Sequence, residues 1–198
     1  MPTSQRILDI AEALVATRGF NAFSYADIAA VMNITKASLH YHFSSKSELG
    51  TRLINRYDAT FMAALDEIRR DVEDGAERLR RYVDLWLGVL RNDRMCLCGM
   101  LAAEYSTLTP PMRVALKGFM DRHEAWVSQV LDEGRKRGEL HFEGEAGETA
   151  GLVIGVLEGT MMMARAHGEN GRFIAAIRRM LDRMGVAWHA KEPASAAA

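Results

Sequence analysis

Only two of the 198 residues are cysteine, Cys96 and Cys98, and a single leucine separates them. That is too few for a disulfide framework and too close in sequence for the two to bridge each other, so reduced thiols are expected. Proline is confined to positions 2, 110, 111 and 193, and no run of alternating β-branched residues occurs. Sheet architectures are thereby excluded, and the chain reads as all-α. Excess charge is also missing. Lysine plus arginine number 25 against 26 acids, a net charge of −1, so any polyanion site must be a local patch. The longest weakly charged run, TAGLVIGVLEGTMMMA (149–164), falls short of the roughly 20 residues a bilayer requires, and Glu158 interrupts it. No membrane partner is expected. The opening MPTSQRILDIAEAL has no apolar signal core, which points to a cytoplasmic location.

Helical periodicity fills the remainder and yields about nine helices. Ile7, Ile10, Ala11 and Leu14 share a face of the first helix, which stops at Gly19. Ser24 to Asp27 forms a capping box opening a second helix with Ile28, Val31 and Met32 inward. After a turn at Asn33-Ile34, Thr35 caps a short third helix in which Leu39 and Phe43 point the same way. A long fourth helix starts at Ser47 and carries Leu49, Leu53, Tyr57, Phe61 and Leu65 at steps of four, ending near Asp74-Gly75. A fifth follows with Leu79, Tyr82, Val83, Trp86 and Leu90. A short helix is expected near 97–106 and a long one from Pro110 to about Arg137. The polar break 138–148 precedes two last helices near 145–167 and 170–186. The composition divides into a three-helix head (1–46), a larger helical body (47–188) and a disordered tail (189–198).

NITKASLHYHF (33–43) crowds a lysine, two histidines and a tyrosine onto a segment too short for a core of its own. Two short helices with a tight turn, the second hiding Leu39 and Phe43, make a helix-turn-helix whose outer face fits a DNA major groove. Lys36, Ala37, Ser38 and His40 then face base edges. Tyr41 and His42 donate to phosphate, as does Lys46, and the N–H groups opening the second helix bind another phosphate. Between 36 and 56, Lys36, Lys46, Arg52 and Arg56 stand against the single acid Glu48, a modest positive patch.

GFNAFSYADIAAVMNITKASLHYHFSSKSEL closely resembles the DNA-binding signature of the tetracycline-repressor (TetR) family of transcriptional regulators. The likeness rests on the glycine-aromatic turn, the Asp-Ile-Ala helix, the Thr-Lys-Ala-Ser helix with its aromatic-His-Phe ending, and Ser-Lys-x-x-Leu, over about residues 5–50. It implies that Ser24, Tyr25, Tyr41, His42 and Lys46 touch the DNA backbone and that Thr35, Lys36, Ala37, Ser38 and His40 approach bases or neighbouring phosphates. It further implies repression through a double-stranded operator, a homodimer and a small-molecule effector. Many members carry tyrosine where this chain has His40, so the operator sequence does not transfer, and a histidine there could make binding pH-sensitive.

In the body, Leu116, Phe119, Met120, His123, Val127 and Val130 form an apolar stripe with one polar member. His123 reads first as a satisfied core histidine. Trp86, Cys98, Tyr105, Trp126 and Met162 join Phe119, His123 and Glu158 as candidates for lining an effector pocket. Glu158 in an apolar helix must be paired, exposed or protonated, and pairing with Arg165 is the favoured reading. Gly151, Gly155 and Gly159 make a surface for close helix approach, within one subunit or across a dimer, beside Phe173, Ile177, Met180, Leu181 and Met184. A dimer is required because one short recognition helix carries little specificity. Catalytic residues, a metal site and a cofactor are not expected, since no nucleophile-base-acid set or metal-spaced histidines occur. Two other readings remain: an all-α small-molecule-binding protein or enzyme, and a redox regulator acting through Cys96 and Cys98.

Overall fold

A computed structural model describes residues 2–190, and part of the expected tail, 191–198, lies outside them. Among the described residues there are nine α-helices and one 3-10 turn: α1 (Thr3–Arg18), α2 (Tyr25–Met32), α3 (Lys36–His42), α4 (Lys46–Asp71), α5 (Gly75–Arg91), α6 (Leu97–Ala103), η1 (Tyr105–Thr107), α7 (Pro110–Lys136), α8 (Ala146–His167) and α9 (Asn170–Arg183). The all-α reading is correct. The short helix expected to reach 106 ends at Ala103 and tightens into η1. α9 stops at Arg183 rather than 186, because Gly185 takes φ +77° two residues later. No described helix is long and apolar enough to cross a membrane.

The chain divides into two compact units, with α4 and α7 each running through both. The first comprises the chain up to Ala63 together with Asp93–His123. The boundary drawn at residue 46 separates sequence modules, whereas compactness groups the head with the first half of α4 and with 93–123. Ile7, Ala11 and Val15 of α1, Ile28 of α2, Leu39 of α3, Phe43, and Leu49, Leu53 and Ile54 of α4 are all buried. Arg56 ties α4 back to α1 through Asp9 and Glu12, both at 2.6 Å. Farther along α4, Tyr57 and Phe61 pack on Phe119, and the His123 ring lies 5.1 Å from Phe61, edge to face. Burial pushes the His123 pKa down to about 4.

The second unit holds Ala64–Asn92 and the chain from Glu124 onward. Tyr82, Val83 and Trp86 of α5, Val127 and Leu131 of α7, Val153, Leu157 and Met161 of α8, and Phe173, Ile177 and Leu181 of α9 form its core. Gly75 opens α5 so close to α7 that a Cβ there would stand 2.9 Å from Gly134 Cα. Arg78, only 6% exposed, joins three elements. Its guanidinium donates to the carbonyls of Val72 (2.6 Å) and Arg69 (3.2 Å) at the end of α4 and to Glu133 of α7 (2.8 Å). Cationic donors at a helix C-terminus satisfy carbonyls that have no intrahelical partner.

These buried groups carry two expectations for stability. Arg78→Met removes the donor to the Val72 and Arg69 carbonyls and one of the cations on Glu133, which keeps Arg69 at 2.7 Å, and should lower the urea-unfolding free energy by about 2 kcal/mol. For His123 the native pKa is depressed, so between about pH 6.5 and 4 only the unfolded chain takes up the proton. Stability is complete above that window and falls as pH drops through it, by about 2 kcal/mol from pH 7 to pH 5. Urea titrations at both pH values should show His123→Gln losing this increment of the pH dependence.

Candidate nucleic-acid interface

The helix-turn-helix is set by three local devices. Ser24 opens α2 as its N-cap: its hydroxyl accepts from Ala26 N, and its own N–H and Oγ both donate to Asp27 Oδ2 at 2.7 Å. Those bonds hold the Asp27 carboxyl below its ordinary range. Asn33 closes α2 in the left-handed region at φ 53°, with Asn33 N donating to Ala30 O and Ile34 N to Ala29 O. This pair of bonds is a Schellman motif, and asparagine is among the few L-residues that adopt it readily. Thr35 then caps α3, accepting from Ser38 N at 3.1 Å.

α3 turns Leu39 fully inward, with Phe43 buried just beyond its end. Lys36, Ala37, His40 and Tyr41 are exposed, Ser38 and His42 half-exposed, and Tyr41 reaches 87%. His40 Nδ1 lies 3.2 Å from Ser44 O. A carbonyl accepts only, so this contact calls for hydrogen on Nδ1. A shallow depression of about 380 Å³ is bordered by Phe23, Ser24, Tyr25, Ala26, Lys36, His40 and Lys46. It combines the N-terminus of α2 with the exposed Lys36, chemistry that suits a phosphate.

Two of the residues expected at the DNA backbone, Tyr25 and Lys46, already have partners within the head. Tyr25 is buried, and its hydroxyl donates to Phe43 O at 2.9 Å. Burial, and then the Glu48 charge, raise its pKa to about 12. Its donor is therefore spent on tying α2 to the end of α3. Lys46 opens α4 and is not a freely swinging cation either. Its Nζ donates to the carbonyls of Phe20 (2.6 Å) and Phe23 and lies over both rings. Desolvation lowers its pKa, against the raising effect of Glu104 and Asp27.

The body's candidates are scattered. Cys98, Tyr105, Phe119 and His123 belong to the first unit, and Trp86, Trp126, Glu158 and Met162 to the second. Tyr105 is 51% and Met162 56% exposed, so neither lines an interior. Met161, one position from Met162, is the residue of that run that turns inward. Cys96 and Cys98 are both buried, which argues against a thiol that must meet an oxidant. Of the expected dimer residues, Phe173, Ile177, Leu181 and Met184 lie in the second unit's own core. The apolar stripe of α9 faces its own subunit. Gly151, Gly155 and Gly159 are exposed on α8, and Met180 is half-exposed.

Family comparison joins head and body. Residues 7–52 match the model described as bacterial regulatory proteins, tetR family, and residues 75–180 match the model described as tetracyclin repressor-like, C-terminal domain. The chain belongs to the TetR family. It is a DNA-binding transcriptional regulator, of a family that acts on operators as dimers with small-molecule effectors. A TetR-family transcriptional regulator from Agrobacterium tumefaciens is 34% identical and superposes with a TM-score of 0.89, covering 91% of this chain and 96% of its own. A TetR transcriptional regulator from Legionella pneumophila is 32% identical, with a TM-score of 0.84 and coverage of 92% and 97%. The HTH-type transcriptional repressor NemR of Escherichia coli (strain K12) is 26% identical over 167 residues, 82% of this chain and 84% of the relative.

Within this TetR head, Tyr25→Phe should cost about 1 kcal/mol in denaturant unfolding, the worth of one hydrogen bond whose partner is left buried. A loss of under about 0.3 kcal/mol would return the Tyr25 hydroxyl to the DNA-contact set.

Proposed function

We propose that the protein is a homodimeric, cytoplasmic repressor that reads an inverted-repeat operator through α3 and leaves it when a small molecule binds the body. The reading is carried chiefly by one observation: α3 commits Leu39 to the core yet leaves Lys36, His40 and Tyr41 exposed and Ser38 half-exposed, beside the shallow depression at the start of α2. Lys36, Ser38 and the exposed His40 serve as base-edge groups. Tyr41 and His42, with the α2 N–H groups, serve the backbone. Nothing in this role calls for catalysis.

The dimer is proposed on the outer face of α8. A Cβ added at Gly155 or Gly159 would meet nothing within 4 Å. Those glycines therefore do not serve packing inside the subunit. They lie in one stripe with Leu152 (65% exposed) and Met163 (54%), flanked by Met162. Exposed apolar area at helical spacing, with small residues between, suits a second copy of the same helix.

Selection of duplexes from fragmented genomic DNA by the purified protein tests the reading, and should recover a short inverted repeat. Against that repeat, Ser38→Ala and His40→Ala should shift preference among operator variants by about 1–3 kcal/mol at single positions. Lys36→Ala should likewise shift preference among operator variants rather than weaken binding to all of them alike. Recovery of random sequence alone would refute the assignment of α3. Separately, Met162→Glu with Met163→Glu changes only exposed side chains and should convert dimer to monomer by sedimentation at micromolar concentration. A dimer undisturbed by this pair would place the interface elsewhere.

A further inference from the structure

The turn between α1 and α2 is held by charged groups from outside it on two sets of atoms. Glu104, the residue between α6 and η1, brings Oε2 to 2.7 Å from Phe20 N, and its two oxygens lie 3.2 and 3.3 Å from Asn21 N. Asn21 Nδ2 donates in turn to Thr107 Oγ1 at 2.8 Å. Lys46 of α4 takes the carbonyls of Phe20 and Phe23. A further bond, Ser47 Oγ to Thr109 Oγ1 at 2.5 Å, links the start of α4 to the same 104–109 segment. One carboxylate thus accepts from two consecutive N–H groups while one ammonium donates to the carbonyls of the same turn. The geometry requires Gly19, which sits at φ +94° and whose hypothetical Cβ would be 2.8 Å from Glu104 Oε1.

Closing this turn does not by itself need the carboxylate. Gly19 N already bonds Val15 O, and Phe20 and Phe23 are both buried anchors. Glu104 adds direction. Charge-assisted bonds to adjacent N–H groups fix the orientation of the peptide planes, where apolar anchoring fixes only position. The next residue after Phe23 is Ser24, the N-cap of α2, so a rotation at 20–21 passes directly into the attitude of α2 and α3.

We propose that Glu104 is a positioning residue for DNA reading: from the α6–η1 junction it sets the angle at which the helix-turn-helix leaves α1, without touching DNA. This rests on the regulator reading above.

The test uses the full-length protein and the operator duplex recovered by selection, with anisotropy titrations at several salt concentrations and amide exchange at Phe20 and Asn21. Glu104→Gln and the milder Thr107→Val guard against loss of folding. Glu104→Gln should weaken operator binding about tenfold, the effect expected from losing roughly 1.4 kcal/mol. It should leave the salt slope and the affinity for random duplex unchanged and speed exchange at both amides. Thr107→Val should do the same to a smaller degree. Operator affinity equal to wild type in both variants would overturn the inference, as would a salt slope reduced by about one, the mark of a direct phosphate contact. If the wild type itself selects no duplex, the regulator reading fails and this inference with it. If the wild type selects one and the variants bind it equally, only this inference fails.

Discussion

A seven-residue helix has no independent stability in water, so α3 exists only because Leu39 and Phe43 are buried. Every contact proposed from α3 to DNA hangs from those two side chains. Full burial of a leucine or phenylalanine stabilises by about 2–3 kcal/mol, comparable to or larger than any single polar bond in the head. The polar bonds then decide orientation. Ser24 with Asp27, Asn33 in the left-handed region and Thr35 fix where α2 begins, where it ends and where α3 starts. The apolar pair supplies the energy, and the caps supply the geometry.

The same division explains how a near-neutral protein can address a polyanion. Several charges of the first unit are turned inward or matched. Arg56 is held by Asp9 and Glu12, Lys46 by carbonyls, and Glu48 accepts from Ser44 N and Oγ, which keeps its carboxyl below the ordinary range. What faces outward from α3 is Lys36 with neutral polar groups. Affinity for random DNA should therefore be low at physiological salt, and discrimination must come from shape and base edges.

Helices and their caps were legible because their signals are local: periodicity of three and four, Ser24 three residues before Asp27, a glycine or asparagine where the chain must turn. What could not be read was which neighbour claims a side chain. Tyr25 and Lys46 have the chemistry of phosphate ligands, and only tertiary contacts reveal that their donors already serve the carbonyls of Phe43, Phe20 and Phe23. Phe173, Ile177 and Leu181 were correctly seen as one apolar face, but a stripe does not state whether its own chain or a second copy covers it. Glu104 offered no signal at all, since its partners lie more than 80 residues away.

Placing a carboxylate from 104 on a turn at 20–21 has a thermodynamic consequence for regulation. An effector that releases a regulator a hundredfold must favour the released form by about 2.7 kcal/mol, and the operator must oppose the effector by the same amount. That energy need not come from remaking the core of the head. Charge-assisted hydrogen bonds contribute about 1.5–3 kcal/mol each, so one of the Glu104 bonds is of the size of the whole requirement, and Leu39 and Phe43 need not leave the core to supply it. Polar bonds at the turn and apolar anchors beneath the reading helix are the arrangement that separates orientation from stability.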